Sequence, residues 1–299
     1  MVIAMLLEEH LVAVPDDAKK LILLVAETAK TVRRGFLDHT HFSGTKNIYN
    51  EEQLALDKWA DEVFTQAFEK SMLVRNVASE EQGEINQIVK SQGSWGVTMD
   101  PLDGSSCVAT NLSVGTIVGM FNEGDVMEQG NRMDAACYVL YGPLTTFVYA
   151  YKGKGCHEFV LDEKKNKFVL RQESIKIPEG KIYGTGALRK DFIPQHEKAI
   201  AALEKEGYKV RFSGSFTADV NQVLHYGGLF TYPASKKDAN GKLRLLFEAN
   251  PVAFLIKEAG GSSFSGKQGI LDITPHTLSQ RTPVYVGDRK TIALVKGFF

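Results

Sequence analysis

Hydrophobic and polar positions change their rhythm along this 299-residue chain. After Pro15, apolar residues fall at Ala18, Leu21, Ile22, Val25, Ala29, Val32 and Phe36, a spacing that closes on one face of a helix. A second helix is predicted from about Asn50. It carries Leu56, Trp59, Ala60, Val63 and Ala67 on one face and opens on an acidic turn of Glu51 and Glu52. Between them, Phe42-Ser-Gly-Thr-Lys-Asn47 reads as a polar loop. From about Met72 the texture becomes that of short strands, at 73–78, 95–99, 116–121, 145–151 and 158–161. Helices follow near 195–205 and 218–225, and a third has Asn250 as N-cap, Pro251 in its first turn and Gly260-Gly261 at its end. Residues 229–232 and 283–286 read as further strands. Strands and helices mixed without strict alternation predict a layered α/β sandwich rather than a barrel. The weakest boundary falls at Pro178-Glu179-Gly180.

Composition narrows the classes. Thirty-five Lys and Arg against 36 Asp and Glu leave a net charge of −1, so no global field recruits nucleic acid or an anionic membrane. No apolar stretch approaches the ~20 residues that span a bilayer. The apolar opening stops at Glu8-Glu9 without a basic region before it, unlike a secretory signal. Three scattered cysteines, Cys107, Cys137 and Cys156, make no disulfide framework. A cytoplasmic protein is expected.

The densest chemistry is Asp100-Pro-Leu-Asp103-Gly104-Ser105-Ser106, directly after a strand-like run. Two carboxylates at a strand end can converge on a hard cation such as Mg2+. The Gly-Ser-Ser that follows can turn backbone amides inward as an anion cradle. A metal and a phosphate cradle in one heptapeptide suit metal-assisted phosphoester hydrolysis. The plain alternative is a turn in which Asp caps a helix and Gly-Ser-Ser is only loop. Glu80-Glu81, at another strand end, and Asp57, in the second helix, are ordinary taken alone. Glu248 lies between Leu245-Leu246-Phe247 and the Asn250-Pro251 helix start, where a lone carboxylate is expensive to bury, so a ligand and a salt bridge are equally compatible with it. Lys242 and Arg244 alternate with Leu243 and Leu245, which puts both charges on one side of an extended segment suited to an anion. Lys236 and Lys237 read as a hydrophilic turn.

Asp100-Pro-Leu-Asp-Gly-Ser-Ser together with Ser79-Glu80-Glu81 resembles the class I fructose-1,6-bisphosphatase family. The resemblance extends through Gly214-Ser215, Asp219-Val220, Tyr232-Pro-Ala, Gly241-Lys-Leu-Arg-Leu-Leu, Asn250-Pro251 and Ala259-Gly-Gly. It implies an α/β/α/β/α sandwich of two lobes, 1–178 with the metal motifs and 179–299 for the sugar phosphate. By position it implies metal ligands Glu80, Glu81, Asp100, the Leu102 carbonyl, Asp103 and Glu248 for two or three Mg2+ (or Mn2+) ions. Asp57, Glu81 and Glu51 are the implied catalytic acids, Asp57 and Glu81 orienting and deprotonating the attacking water. Asp103, Gly104, Ser105, Ser106 and Arg244 would meet the sugar and the reacting phosphate, and Arg211, Tyr232 and Lys242, with Arg189, the distal phosphate. Phe212 stands where the family has Tyr, and Cys107 where it has Asn after Asp-Gly-Ser-Ser. Tyr141-Gly-Pro-Leu-Thr-Thr, His157-Glu-Phe and Asp219-Val-Asn-Gln look most like the sedoheptulose-1,7-bisphosphatase branch. The expected reaction is therefore hydrolysis of sedoheptulose 1,7-bisphosphate to sedoheptulose 7-phosphate and phosphate. A fructose-1,6-bisphosphatase or a dual-specificity enzyme is the alternative, and an inositol-monophosphatase-like enzyme a more distant one. Homo-oligomerisation as a dimer or tetramer, with no nucleic-acid or membrane partner, is the family's implication. Ser94-Trp95 and Asn122, in place of the family's AMP contacts, imply no AMP control.

Overall fold

The computed structural model describes residues 5–39, 42–46, 52–122 and 124–299. The chain opens with a short helix α1 (Leu7–His10) and the long α2 (Asp16–Gly35), which starts just after Pro15 with Asp16 and Asp17 in its first turn. Its buried stripe, Ala18, Leu21, Ile22, Val25, Ala29 and Val32, is the one the spacing predicts. Residues 42–46 form a strand, β1 (Phe42–Lys46), rather than a loop, and pair with β2 (Glu52–Leu54). The second helix, α3 (Ala55–Ser71), therefore begins five residues later than its acidic prelude suggests. Asn50 and Glu51, expected at that start, lie outside the described residues. At the α2–α3 crossing Gly35 is required: a Cβ there would lie 2.1 Å from the Trp59 ring.

Eight strands then build the larger sheet: β3 (Val74–Ser79), β4 (Asn86–Gln87), β5 (Trp95–Asp103), β6 (Val114–Asn122), β7 (Ala135–Tyr141), β8 (Thr145–Tyr151), β9 (Gly155–Asp162) and β10 (Lys167–Gln172). Their spatial order is β10-β9-β8-β7-β6-β5-β3-β4, and only β3 and β5 run parallel. A smaller mixed sheet follows, in the order β12-β11-β13-β15-β14, from β11 (Ile182–Thr185), β12 (Lys209–Val210), β13 (Leu229–Tyr232), β14 (Ser262–Phe264) and β15 (Val284–Gly287). Between these strands run α4 (Pro194–Lys205), α5 (Phe216–Tyr226) and α6 (Asn250–Glu258), and α7 (Arg289–Lys296) follows the last.

Apolar faces dictate the layers. Helices α2 and α3 bury their stripes on one face of the large sheet. Helices α5 and α6 fill the space between the sheets, with Val220, Val223, Leu224, Val252, Ala253 and Ile256 meeting Ile117, Tyr138 and Val148 on one side and Phe230, Val284 and Val286 on the other. Ala199, Ile200 and Leu203 of α4 and Ile292 and Val295 of α7 close the outer face of the small sheet. The molecule is the α/β/α/β/α sandwich that the resemblance implies. Among the described residues no helix is long and apolar enough to cross a membrane.

Candidate active site

Parallel pairing of β3 and β5 places their carboxyl ends side by side, and the acidic motifs are at those ends. Glu80 N–H donates to the Met99 carbonyl at 3.0 Å, which ties the Glu80-Glu81 step to the strand leading into Asp100. All nine residues of β5 are buried. Its register against β6 slips between Asp100 and Asp103, where Pro101 has no N–H to offer the ladder. The slip turns the Leu102 N–H onto Asp100 Oδ1 at 3.0 Å and leaves the Pro101 carbonyl to Thr116 Oγ1 at 2.8 Å. Behind Glu80, Ser79 Oγ and Gln82 Nε2 donate to Asp61 at 2.5 and 2.8 Å and fix the turn from inside.

Glu248 comes from the opposite half of the chain. Asn250 is not the cap of its helix: a widened helical turn, Leu245–Ala249, precedes α6, and Arg244, in extended backbone, begins it. Glu248 sits inside that turn and accepts Arg244 N–H at 2.6 Å, while the Arg244 guanidinium pairs with Glu80. The Arg244 backbone holds Glu248, and one oxygen of its carboxylate converges with one each from Glu80 and Asp100, the three within 4.8 Å of one another.

Three carboxylates this close and this buried repel each other. Burial, then the charges of Glu80, Asp103, Glu248 and Glu81, push Asp100 well above the ordinary carboxylate range. Burial also raises Glu248, against the pull of the Arg244 amide. A cluster of hard oxygens held in a partly closed space at such cost fits a divalent cation, which reverses the sign of the local field.

Asp103 is placed differently. Its carboxylate accepts Ser215 Oγ at 2.9 Å, Phe216 N–H at 3.3 Å and Thr217 N–H at 2.7 Å, and so caps α5 from the end of β5. The helix that Asp103 caps lies more than a hundred residues away, whereas the local turn after Gly104 has no side-chain cap. Gly104 then turns the chain at φ +76°, and a Cβ there would lie 2.7 Å from Ser215 Cβ, so the two loops interlock only with glycine. A short 3-10 turn, Ser105–Thr110, follows, and residues 104–106 line the cavity.

One cavity of about 280 Å³ takes in Asp57, Glu80, Glu81, Asp100, Leu102 and Asp103, then residues 104–106, Tyr232, Lys242, Arg244 and Glu248. Lys242 Nζ stands 5.4 Å from the Tyr232 ring centroid. Two expected residues are elsewhere. Arg189 is exposed on a short turn, Arg189–Asp191, and Arg211 lies over the Tyr226 ring at 5.3 Å; both are outside the cavity lining. Glu51 lies outside the described residues. Phe212, which stands where the family has Tyr, lines the cavity too, and sequence reasoning passed over Asp219, Phe216 and Phe230, which also line it. Asp219 stood in the motif Asp219-Val-Asn-Gln without an assigned role.

A family model described as the N-terminal domain of fructose-1-6-bisphosphatase matches residues 17–173, and one described as the C-terminal domain matches 177–299. The chain is 45% identical over 292 residues to a class 1 fructose-1,6-bisphosphatase of Methanocorpusculum labreanum, covering 97% of this chain and 90% of that one. It is 47% identical over 279 residues to that of Geotalea uraniireducens, covering 91% and 88%. Leishmania major fructose-1,6-bisphosphatase in its holo form superposes with a TM-score of 0.93 at 28% identity, over 99% of this chain and 98% of that one. Its T-state superposes at 0.89. The chain belongs to the class 1 fructose-1,6-bisphosphatase family, whose members use divalent metal, and is a phosphatase that hydrolyses a phosphoester of a sugar bisphosphate.

Proposed function

We propose that the protein removes the 1-phosphate of fructose 1,6-bisphosphate in a Mg2+-dependent reaction in the cytoplasm. The observation that carries the reading is a single cavity that joins the converging oxygens of Glu80, Asp100 and Glu248 to the Lys242–Tyr232 pair. The substrate choice follows the relatives, which bear the fructose name at 42–47% identity; the motifs that look like the seven-carbon branch are weaker support. Sedoheptulose 1,7-bisphosphate is the second reading, favoured by Tyr141-Gly-Pro-Leu-Thr-Thr, His157-Glu-Phe and Asp219-Val-Asn-Gln.

Glu80, Asp100 and Glu248, with Glu81, Asp103 and the Leu102 carbonyl beside them, would hold the metal, which when bound draws charge from the phosphoryl oxygens and acidifies a water. Asp57 and Glu81 orient that water and take its proton as its oxygen bonds to phosphorus and the sugar oxygen departs in line. Glu51 is assigned to assist them from the segment before α3. Amides of 104–106, residues that line the cavity, are assigned to receive the phosphoryl oxygens. Arg244, beside Glu80, offsets charge at the reacting phosphate. Lys242 and Tyr232 grip the distal phosphate, without Arg211 and Arg189, which lie outside the cavity lining. That grip supplies binding energy remote from the chemistry. The lobes divide the work near residue 178, with metal motifs before it and sugar-phosphate contacts after it, and the enzyme works as a homo-oligomer.

Phosphate release from six- and seven-carbon bisphosphates across a Mg2+ titration tests this. Activity absent without metal and a higher kcat/KM for the fructose substrate are the expected results. A clear preference for the sedoheptulose substrate overturns the choice of sugar, and metal-independent release overturns the assignment of the triad.

A further inference from the structure

Asp219 lies in the first turn of α5, 2% exposed, and lines the cavity. Both its oxygens accept the Ser213 N–H, at 2.9 and 3.1 Å, and Oδ1 also accepts Gln222 Nε2 at 3.0 Å. Gln222 is in turn the acceptor for Arg211 Nη1 at 3.4 Å, and the Arg211 guanidinium rests over Tyr226. Asp219, Gln222 and Tyr226 are spaced i, i+3, i+7, so one face of a rigid helix holds the two ends of the segment 211–213. Between those ends Phe212, 47% exposed, lies at 7° to Phe230 and forms part of the cavity wall.

A buried carboxylate spent on a loop amide is costly unless the loop's shape matters. This loop borders the β13 side of the cavity, which supplies Phe230 and Tyr232, whereas the acidic triad comes from β3, β5 and the Leu245–Ala249 turn.

We propose that Asp219, backed by Gln222, is a positioning residue for sugar binding: it sets segment 211–213 so that Phe212 forms its part of the cavity wall that receives the sugar. The proposal rests on the sugar-bisphosphatase reading and extends it to two residues that do the work through others. Its signature is a split between binding and chemistry, because the brace holds Ser213 and the cavity wall, whereas the converging oxygens of Glu80, Asp100 and Glu248 come from other elements.

Steady-state phosphate release by Asp219→Asn and Gln222→Leu, with thermal melting of each, tests it. Asn keeps the shape but sets an amide hydrogen against one donor, and Leu removes the backing group alone. Expected are a KM raised about tenfold in D219N and about threefold in Q222L, with kcat within about twofold of wild type. KM unchanged in both variants overturns the brace, as does kcat falling in step with the melting temperature. A wild-type protein that releases no phosphate from any sugar bisphosphate overturns the phosphatase reading as well. Wild-type turnover with unmoved variant KM values removes only the brace.

Discussion

Asp103 shows how one carboxylate can be asked to do two things. A role in metal binding predicts that Asp103→Asn removes activity and spares the fold. The geometry predicts more, because three donors of α5's first turn and its cap point at this carboxylate. Asparagine would set an N–H against one of them in a buried site, a mismatch worth about 1–3 kcal/mol. D103N should therefore lower both turnover and melting temperature, by roughly 2–4 °C per kcal/mol for a chain approaching this length. An unshifted melt would mean that the carboxylate turns from the helix to the cavity. The Asp-Pro-Leu-Asp-Gly-Ser-Ser run was legible as a site because its chemistry is local. Asp103's cap was not, since its partners lie 112 to 114 residues on and nothing in the spacing announces them. Glu248 was only half legible for the same reason: its neighbours in space, Glu80 and Asp100, are remote in the chain.

At the level of elements, α4 is pinned to the small sheet by a histidine. His196 is fully buried; its ring nitrogens meet Thr185 Oγ1 on β11 and Tyr285 OH on β15, each at 3.1 Å, and Phe192 packs edge-on against it. Burial lowers its pKa from 6.5 to about 4. The folded protein thus favours the neutral ring, while the unfolded chain takes up a proton near 6.5. Its contribution is whole above pH 6.5 and drains away as pH falls toward 4, a loss of roughly 3 kcal/mol. Asp219 works with the opposite sign, since burial lifts it to about 6 and its ionisation costs stability as pH rises from 3.8 to that value. Denaturant unfolding at pH 7 and pH 4.5 should find His196→Gln weaker than wild type at pH 7 but less sensitive to acid. Equal acid sensitivity would remove His196 as the cause. Helices with a clean 3.6 period, α2 above all, were readable from the chain. Strand β7 was not, because Ala-Ala-Cys-Tyr-Val-Leu-Tyr is buried almost throughout and an unbroken apolar run has no period. The onset at Leu245 was hidden for another reason: Asn250-Pro251 carries a genuine start signal, yet the preceding turn winds wider and runs straight into it.

Across the whole molecule, the acidic triad is the point where the two halves of the chain are charged against each other. Glu80 and Asp100 leave the large sheet at adjacent strand ends, and Glu248 arrives from the turn before α6, the helix that fills the space between the sheets. Without a cation the folded state carries the repulsion, because Asp100 is held well above its ordinary range by burial and by its acidic neighbours. A raised carboxyl pKa contributes stability below the unfolded value and loses it as pH climbs through the folded one, so the metal-free protein should weaken toward neutral pH. Mg2+ should reverse this, adding RT ln(1 + [L]/Kd), about 2.7 kcal/mol at a hundredfold excess over Kd. For a chain of this size that is a rise of several degrees in the melting temperature. Asp100→Asn separates the two effects. It should melt higher than wild type when both are metal-free at pH 8, gain little on Mg2+ addition, and release little phosphate. Since the carboxylates of the triad come from both halves of the chain, the Mg2+-induced gain should appear as a shift of one cooperative transition. A melt in which the cation moves only part of the unfolding, or in which D100N gains as much as wild type, would place the metal away from the triad.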